Sequence, residues 1–202
     1  MHNQQHLVLA SSSPRRLELL NKINIFPDVV YPADIDETPK KKEEPYAYVK
    51  RISQEKALSA KEKYEDSYII AADTSVIRGT QILGKPQDKA QAESFLKLLS
   101  GGKHKVLTAF SVSAPNNKKI ITKVVKTAIT LKRLSLDEMT WYLNSNEWQG
   151  KSGGYGIQGK FEVFVKQING SVSNVVGLPI FNVYNTLTGL GYKFNYQESS
   201  HE

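Results

Sequence analysis

A chain of 202 residues, 40% of them hydrophobic, can bury roughly 70% of its unfolded surface, which suits one domain or two small lobes around a cleft. It has no Cys, which excludes a disulfide framework, a thiolate metal site and a cysteine nucleophile, while 13 Gly and 8 Pro are too ordinary for a collagen-like or low-complexity chain. Lys and Arg outnumber Asp and Glu by 27 to 20, a formal charge of +7 that fits either plain solubility or an anionic partner: nucleic acid, a membrane surface or a polyphosphate.

Residues 6–10 form a short apolar run, predicted as a strand, which Ser11-Ser12-Ser13-Pro14-Arg15-Arg16 interrupts. Leu17, Leu19, Leu20 and Ile23 then follow a helical pattern, with Ser13 as N-cap and Pro14 at the first helical position. Residues 26–44 are irregular, a strand end plus loop. Residues 45–64 read as a helix whose inward stripe holds Val49, Ile52, Lys56, Ala60 and Tyr64. An ammonium on that stripe is costly without an anionic partner. Residues 67–77 read as a doubly buried strand leading into Asp73-Thr74. Gly84-Lys85-Pro86 closes a loop, and Ala92, Phe95, Leu96 and Leu99 mark a helix stopped by Gly101.

Residues 104–114 and 118–131 read as hairpin arms around Pro115-Asn116-Asn117. Ser135 with Glu138 forms a capping box, stapled by Leu134 and Met139. Residues 150–159, GKSGGYGIQG, are glycine-rich. Strands are predicted over 162–168 and 171–176, joined by a two-residue turn at Asn169-Gly170. Pro179 opens a last helix that Gly189 ends, and residues 195–202 form a polar tail. The mixture indicates an α/β fold whose strand order is not legible. No run of ~18 apolar residues occurs, so no membrane span is expected. The start also lacks the flank and length of a signal peptide, and a cytoplasmic protein is expected.

Several segments could carry chemistry. A loop entering a helix N-terminus offers backbone N–H groups and a positive dipole end for phosphate, and Ser11, Ser13, Arg15 and Arg16 would add hydroxyls and planar cations. An ordinary capped helix with solvated arginines fits that segment equally. Asp73, at the end of a buried strand, fits a metal ligand, a general base or a loop cap. Glu37 could supply a second carboxylate to a divalent metal, and Lys56 and Lys85 could face phosphates. In the glycine-rich segment, Gln158 carries the paired donor and acceptor suited to a base edge. Gly150-Lys151-Ser152 lacks the earlier glycine of a Walker A loop, no G-x-S-x-G elbow or H-E-x-x-H occurs, and His104 is a lone, structural histidine.

The segments LASSSPRR, AADTSVI, LGKP, LLSGGKHKVLTAF, SGGYGIQGK and INGSVSNVVGLPI occur in this order. Together they make the chain, from residue 7 to 184, resemble the Maf family of nucleoside triphosphate pyrophosphatases, once described as septum formation proteins. The resemblance implies a single domain over 1–202: a mixed central sheet with flanking helices and a cleft between two lobes, a fold shared with inosine triphosphate pyrophosphatases. It implies a cytoplasmic enzyme that cleaves a nucleoside triphosphate between the α and β phosphates with a divalent cation, Mg or Mn. Family members are often homodimers.

By the same resemblance Asp73 matches the catalytic acidic residue, usually the proton acceptor, and Glu37, Lys56 and Lys85 match the other charged site positions; from the residues, Asp73 is read as base or metal ligand and Glu37 as holding metal or positioning water. Ser11, Ser13, Arg15 and Arg16 match the phosphate-binding loop. Arg15, Thr74 and Gln158 match the positions that separate the subgroup acting on dTTP and UTP from the one acting on 7-methyl-GTP. Thr74 and Gln158 would read the pyrimidine edge. The chain departs from the family pattern at Lys160-Phe161-Glu162, bulkier than usual, and at Ala109, where Gly is common. Two alternatives share the sequence: a house-cleaning pyrophosphatase for modified nucleotides, and a division-regulating nucleic-acid-binding protein. The second needs a basic face outside the cleft, for which Lys40 to Lys42 and Lys118-Lys119 are short runs. The charge is therefore read as directed at a small polyanion rather than at nucleic acid.

Overall fold

Every residue of the first strand, β1 (Leu7–Ala10), is buried, as its apolar run predicts. The computed structural model describes residues 5–116 and 119–194. After β1 come α1 (Pro14–Asn21), β2 (Val29–Val30), α2 (Pro45–Lys63), β3 (Tyr68–Arg78), β4 (Gln81–Leu83) and α3 (Lys89–Leu99). They are followed by β5 (Lys103–Ser113), β6 (Ile121–Leu131), α4 (Leu136–Asn144), β7 (Val165–Asn169), α5 (Val172–Val176) and α6 (Ile180–Gly189), with 3-10 turns at Ser152–Gly154 and Lys160–Phe164. The strands make a seven-stranded sheet in the order β2-β1-β3-β5-β6-β7, with β4 paired to β3. β1 runs parallel to β2 and β3, and the other pairs are antiparallel. The fold is mixed α/β, a central sheet flanked by helices. Among the described residues no helix is long and apolar enough to cross a membrane.

Successive residues of β3 face opposite sides of the sheet. Ile69, Ala71 and Ile77 pack toward α2, against Ala57 and Ala60 at one end and Tyr48, Val49 and Ile52 at the other. Ile70, Ala72 and Val76 join the larger core, to which α1, α3, α4 and α6 contribute Leu20, Leu96, Tyr142 and Leu187. Along one edge of β3 the partner strand changes. β1 pairs as far as Ala10 opposite Ala71, and β4 pairs from Leu83 opposite Val76. Residues 72–75 have no strand on that edge among the described residues, although β5 pairs with them on the other. The Thr74 carbonyl instead accepts a hydrogen bond from Ser152 Oγ at 3.0 Å, which spares a backbone group the cost of an unmade bond.

The structure corrects the reading of residues 162–176. Lys160–Phe164 is a 3-10 turn, β7 begins only at Val165, and residues 172–176 form helix α5. Ser171 decides this locally, since its Oγ accepts from the Asn174 N–H at 3.3 Å and caps the helix. Asn169-Gly170 is then a crossing rather than a hairpin turn. Gly170 lies so close to β6 that a Cβ would sit 2.6 Å from Thr127 Oγ1. The Thr127 hydroxyl meets both the N–H and the carbonyl of Ser171 at 3.1 Å. Two smaller differences concern residues 11–24 and β4. Ser13 precedes α1 in extended backbone with Pro14 at the first helical position, but its side chain makes no capping bond. The short strand β4 escaped the sequence pattern. The Ser135–Glu138 capping box is present. Asn117 and Lys118 of the predicted hairpin and the tail 195–202 lie outside the described residues.

Gly153 has φ +70, its N–H donates to the Gly84 carbonyl at 2.9 Å, and an added Cβ would stand 2.9 Å from Val76 side-chain carbons. Gly153→Ala is expected to destabilise the protein by about 2 kcal/mol through overpacking and left-handed strain. A lowered thermal midpoint checks this. Gly189→Ala, in α6 with open space around it, is expected to leave the midpoint unchanged or slightly raised.

Candidate active site

A cavity of about 740 Å³ lies over the unpaired edge of β3. Ser11, Ser13, Arg15, Arg16, Glu37, Lys56, Asp73, Thr74, Lys85 and Gln158 all line it. Residues spread over most of the chain thus meet around one space.

Asp73 lies on the β3 face turned to α2. There the buried ammonium of Lys56 contacts Asp73 Oδ1 at 3.2 Å and Glu37 Oε1 at 2.8 Å. This supplies the anionic partner that an inward lysine requires. Asp73 Oδ2 has no hydrogen-bond partner among the described residues. Burial pushes the Glu37 carboxyl up, but the hydrogen bond from Lys56 and the charges of Lys56, Lys85 and Arg16 outweigh it and hold the group below the usual carboxylate range. Glu37 is carried on a loop that the Tyr48 hydroxyl grips by donating to the Glu37 carbonyl at 2.9 Å. Arg51 forks onto Glu43 at 2.7 and 2.8 Å and donates to the Thr38 carbonyl, pinning the same loop further on.

Thr74 takes the opposite face, among the partners of Arg16. That guanidinium is buried, with Nε on the Gly177 carbonyl at 2.8 Å, Nη1 on Ser11 Oγ at 2.8 Å and Nη2 on Thr74 Oγ1 at 3.3 Å. Burial lowers its pKa, and Asp73 is the largest influence that raises it. Arg16 is thus held by neutral groups, and neither it nor Arg15 forms an ion pair among the described residues, so both charges remain available to an anion. The direction of the hydroxyl bonds follows. Thr108 Oγ1 gives its one proton to the Asn174 carbonyl at 2.7 Å, so at 3.0 Å it accepts from Thr74. The Thr74 proton has two acceptors, Thr108 Oγ1 at 3.0 Å and the Gly177 carbonyl at 3.4 Å, and its influence on a ligand runs through Arg16 and the Gly177 turn.

The third wall was only partly legible. Lys151, whose Gly150-Lys151-Ser152 context fails the Walker A pattern, and Glu147, which no motif marks, both line the cavity. Burial and the nearby Arg15 lower the Lys151 ammonium, against the pull of Glu147. The glycine-rich composition around 150–159 marked the segment; no spacing rule pointed to Glu147. His104 is structural, as expected. It is buried, its Nε2 lies 2.6 Å from the Tyr155 hydroxyl, and burial pushes its pKa down to about 4. Among the described residues no group of three or more His, Asp or Glu could hold a metal ion by itself.

The Maf-like protein family model matches residues 6–190. The chain belongs to the Maf-like family. The Maf-like relative named dTTP/UTP pyrophosphatase in Rhodospirillum rubrum is 44% identical over 93% of this chain and 89% of its own length. One of the same name in Zymomonas mobilis is 46% identical over 97% and 96%. Among solved structures, a HAM1 protein from Coxiella burnetii aligns with a TM-score of 0.49 at 13% identity, over 92% of this chain and 100% of that one. In this Maf-like chain, Ala109 and Phe161 are accommodated by packing, while Lys160 and Glu162 are exposed. Ala109 sits opposite Asp73 on β5 and packs beneath α2. Phe161 is fully buried and stacks on Tyr155 at 4.4 Å between ring centroids.

Lys56→Met removes the shared partner of two carboxylates, one of them buried. It is expected to cost about 3 kcal/mol of stability, measured by denaturant unfolding, and to raise the Glu37 pKa above its value in the unmodified protein, measured by NMR titration. Thr108→Val keeps the shape but leaves the Asn174 carbonyl without its donor and Thr74 with only the longer contact to the Gly177 carbonyl at 3.4 Å. A loss of about 2 kcal/mol in unfolding free energy is expected.

Proposed function

We propose that this chain hydrolyses dTTP and UTP to the nucleoside monophosphate and pyrophosphate, with water attacking the α phosphorus. The observation that carries the reading is the convergence of Asp73, Lys56, Glu37, Arg15, Arg16 and Lys85 on one cavity, in a chain that is 44–46% identical to relatives bearing that enzyme name. In the proposed step, Asp73 Oδ2 takes a proton from the water as its oxygen bonds to the α phosphorus. The bond from that phosphorus to the bridging oxygen breaks, and pyrophosphate leaves with the electron pair. Lys56 holds Asp73 through Oδ1 at 3.2 Å and orients it, leaving Oδ2 to take the proton. Arg15, Arg16, Lys85 and Lys151 face the roughly four charges of a triphosphate and the charge that develops on the leaving group. The α1 N-terminus adds N–H donors.

A divalent cation such as Mg or Mn would be held by Glu37, beside Asp73 at the wall of the cavity. Mg²⁺ binds through one or two carboxylates with substrate phosphates completing its shell, and no larger protein cage is needed. Bound there, it would supply charge neutralisation at the phosphate oxygens. Gln158, at the exposed rim, is assigned to the base edge, with Arg15 and Thr74 shaping the pocket behind it.

A panel of canonical and modified triphosphates, assayed for pyrophosphate release in ¹⁸O-water, tests the whole reading. dTTP and UTP are expected to give the highest kcat/KM, with the label in the monophosphate. Label in pyrophosphate would exclude attack at the α phosphorus, and a preference for modified nucleotides would favour the house-cleaning alternative. Asp73→Asn is expected to lower kcat about a thousandfold or more while circular dichroism and thermal midpoint stay close to the unmodified protein. Near-normal turnover in that variant would remove Asp73 from the mechanism.

A further inference from the structure

We infer that Glu147 is a positioning residue for base selection, acting through the backbone of the segment that carries Gln158. The inference rests on the proposed reading of Gln158 as the base-edge residue.

Gln158 is exposed at the cavity rim and has no hydrogen-bond partner among the described residues. Its side chain is free to meet a ligand, so its aim depends on what holds its backbone. Ile157, on one side, is buried. On the other side, the Lys160 N–H donates to Glu147 Oε2 at 2.8 Å. The two glycines that bracket Gln158 show how tightly the same wall closes on it. A Cβ at Gly159 would stand 2.1 Å from Glu147 Oε2, and one at Gly156 would stand 2.6 Å from Lys151 Cε. Gly159 has φ −129, which any residue can adopt, so a Cβ there would meet only the carboxylate, which would have to move aside. The Glu147 carboxylate and the Lys151 stem therefore lie against the chain on either side of Gln158.

The platform beneath is itself fixed. Ser145 Oγ accepts the Glu147 N–H at 3.3 Å, the indole N–H of buried Trp148 donates to the Leu143 carbonyl at 3.1 Å, and the Lys151 ammonium donates to the Glu147 carbonyl. The end of α4 is thereby coupled rigidly to the rim of the cavity. A hydrogen bond from a backbone amide to a carboxylate is charge-assisted and short, the kind that holds a loop in one place. Movement of a reading group by about 1 Å is enough to lose a large part of its discrimination.

Glu147 also lines the cavity, so its charge could act on a ligand directly. Glu147→Gln and Glu147→Ala separate the two roles, because both remove the charge and only Gln keeps an oxygen to accept the Lys160 N–H. The measurement is the ratio of kcat/KM for dTTP to that for GTP, alongside hydrogen exchange at the Lys160 amide and the thermal midpoint. Glu147→Ala is expected to lower the ratio about tenfold, chiefly through KM for dTTP, and to speed exchange at Lys160. Glu147→Gln is expected to keep both near their original values. In combination with Gln158→Ala, Glu147→Ala should add nothing further to the loss of ratio, because the two act as one unit.

Gly159→Ala provides an independent route if Glu147→Ala fails to fold. It displaces the carboxylate sterically and is expected to lower the ratio in the same direction. Equal losses in Glu147→Gln and Glu147→Ala, additive losses in the double variant, or an unchanged ratio in a folded Glu147→Ala or Gly159→Ala would each overturn the inference. If Gln158→Ala itself leaves the ratio unchanged, the base-reading role of Gln158 fails and the inference with it. If Gln158→Ala lowers the ratio and Glu147→Ala does not, only the inference fails.

Discussion

Between Ala71 and Val76, β3 keeps its partner on one edge and loses it on the other, because β1 stops at Ala10 and β4 starts again only at Leu83. A gap of this kind inside a sheet is costly unless the exposed backbone finds other partners. Here Ser152 supplies one from the glycine-rich segment. The gap draws three parts of the chain together: the β1–α1 turn, the loop after β4 and the segment after α4. Most of what lines the cavity is there because these segments surround the missing strand pairing.

The alternation of β3 then divides the work between neighbouring residues. Asp73 points to α2 and meets Lys56, while Thr74 points to the other layer and meets Arg16. One side of the cavity is ionic, with an ammonium between two carboxylates. On the other side a guanidinium is held by a serine, a threonine and a backbone carbonyl, and among the described residues by no carboxylate. The first arrangement holds the Glu37 carboxyl below the usual carboxylate range at the wall of the cavity. The second leaves a fixed positive charge unneutralised, which favours a polyanion entering the space between them. This accounts for part of the net charge of +7 better than any surface run does.

The same economy of placement governs α5. Its short helix returns over the sheet after the chain crosses β6 at Thr127, and brings the Gly177 carbonyl to Arg16 and the Asn174 carbonyl to Thr108. A strand over 171–176 would have carried those carbonyls along the sheet, away from both side chains. The apolar composition of VSNVV is compatible with either state. The cap at Ser171 and the close approach at Gly170 select the helix.

Local chemistry made much of this protein legible in advance. The inward stripe of α2, the buried strand ahead of Asp73, the capping box of α4 and the order of motifs from LASSSPRR to INGSVSNVVGLPI are patterns over a few residues each. They sufficed for the α/β class, for the resemblance to Maf proteins and for ten of the residues that line the cavity. Lys56 was legible for a physical reason, since a lysine on an apolar stripe demands an anion. Glu147, the α5 helix, β4 and the direction of the Thr74–Thr108–Asn174 bonds were not, because each depends on contacts between segments far apart in the chain. The sequence by itself determined which side chains could carry charge and donors to a polyphosphate. Only the tertiary structure decided which of them share one space, because that depends on where a strand ends beside its neighbour, and no local periodicity encodes it.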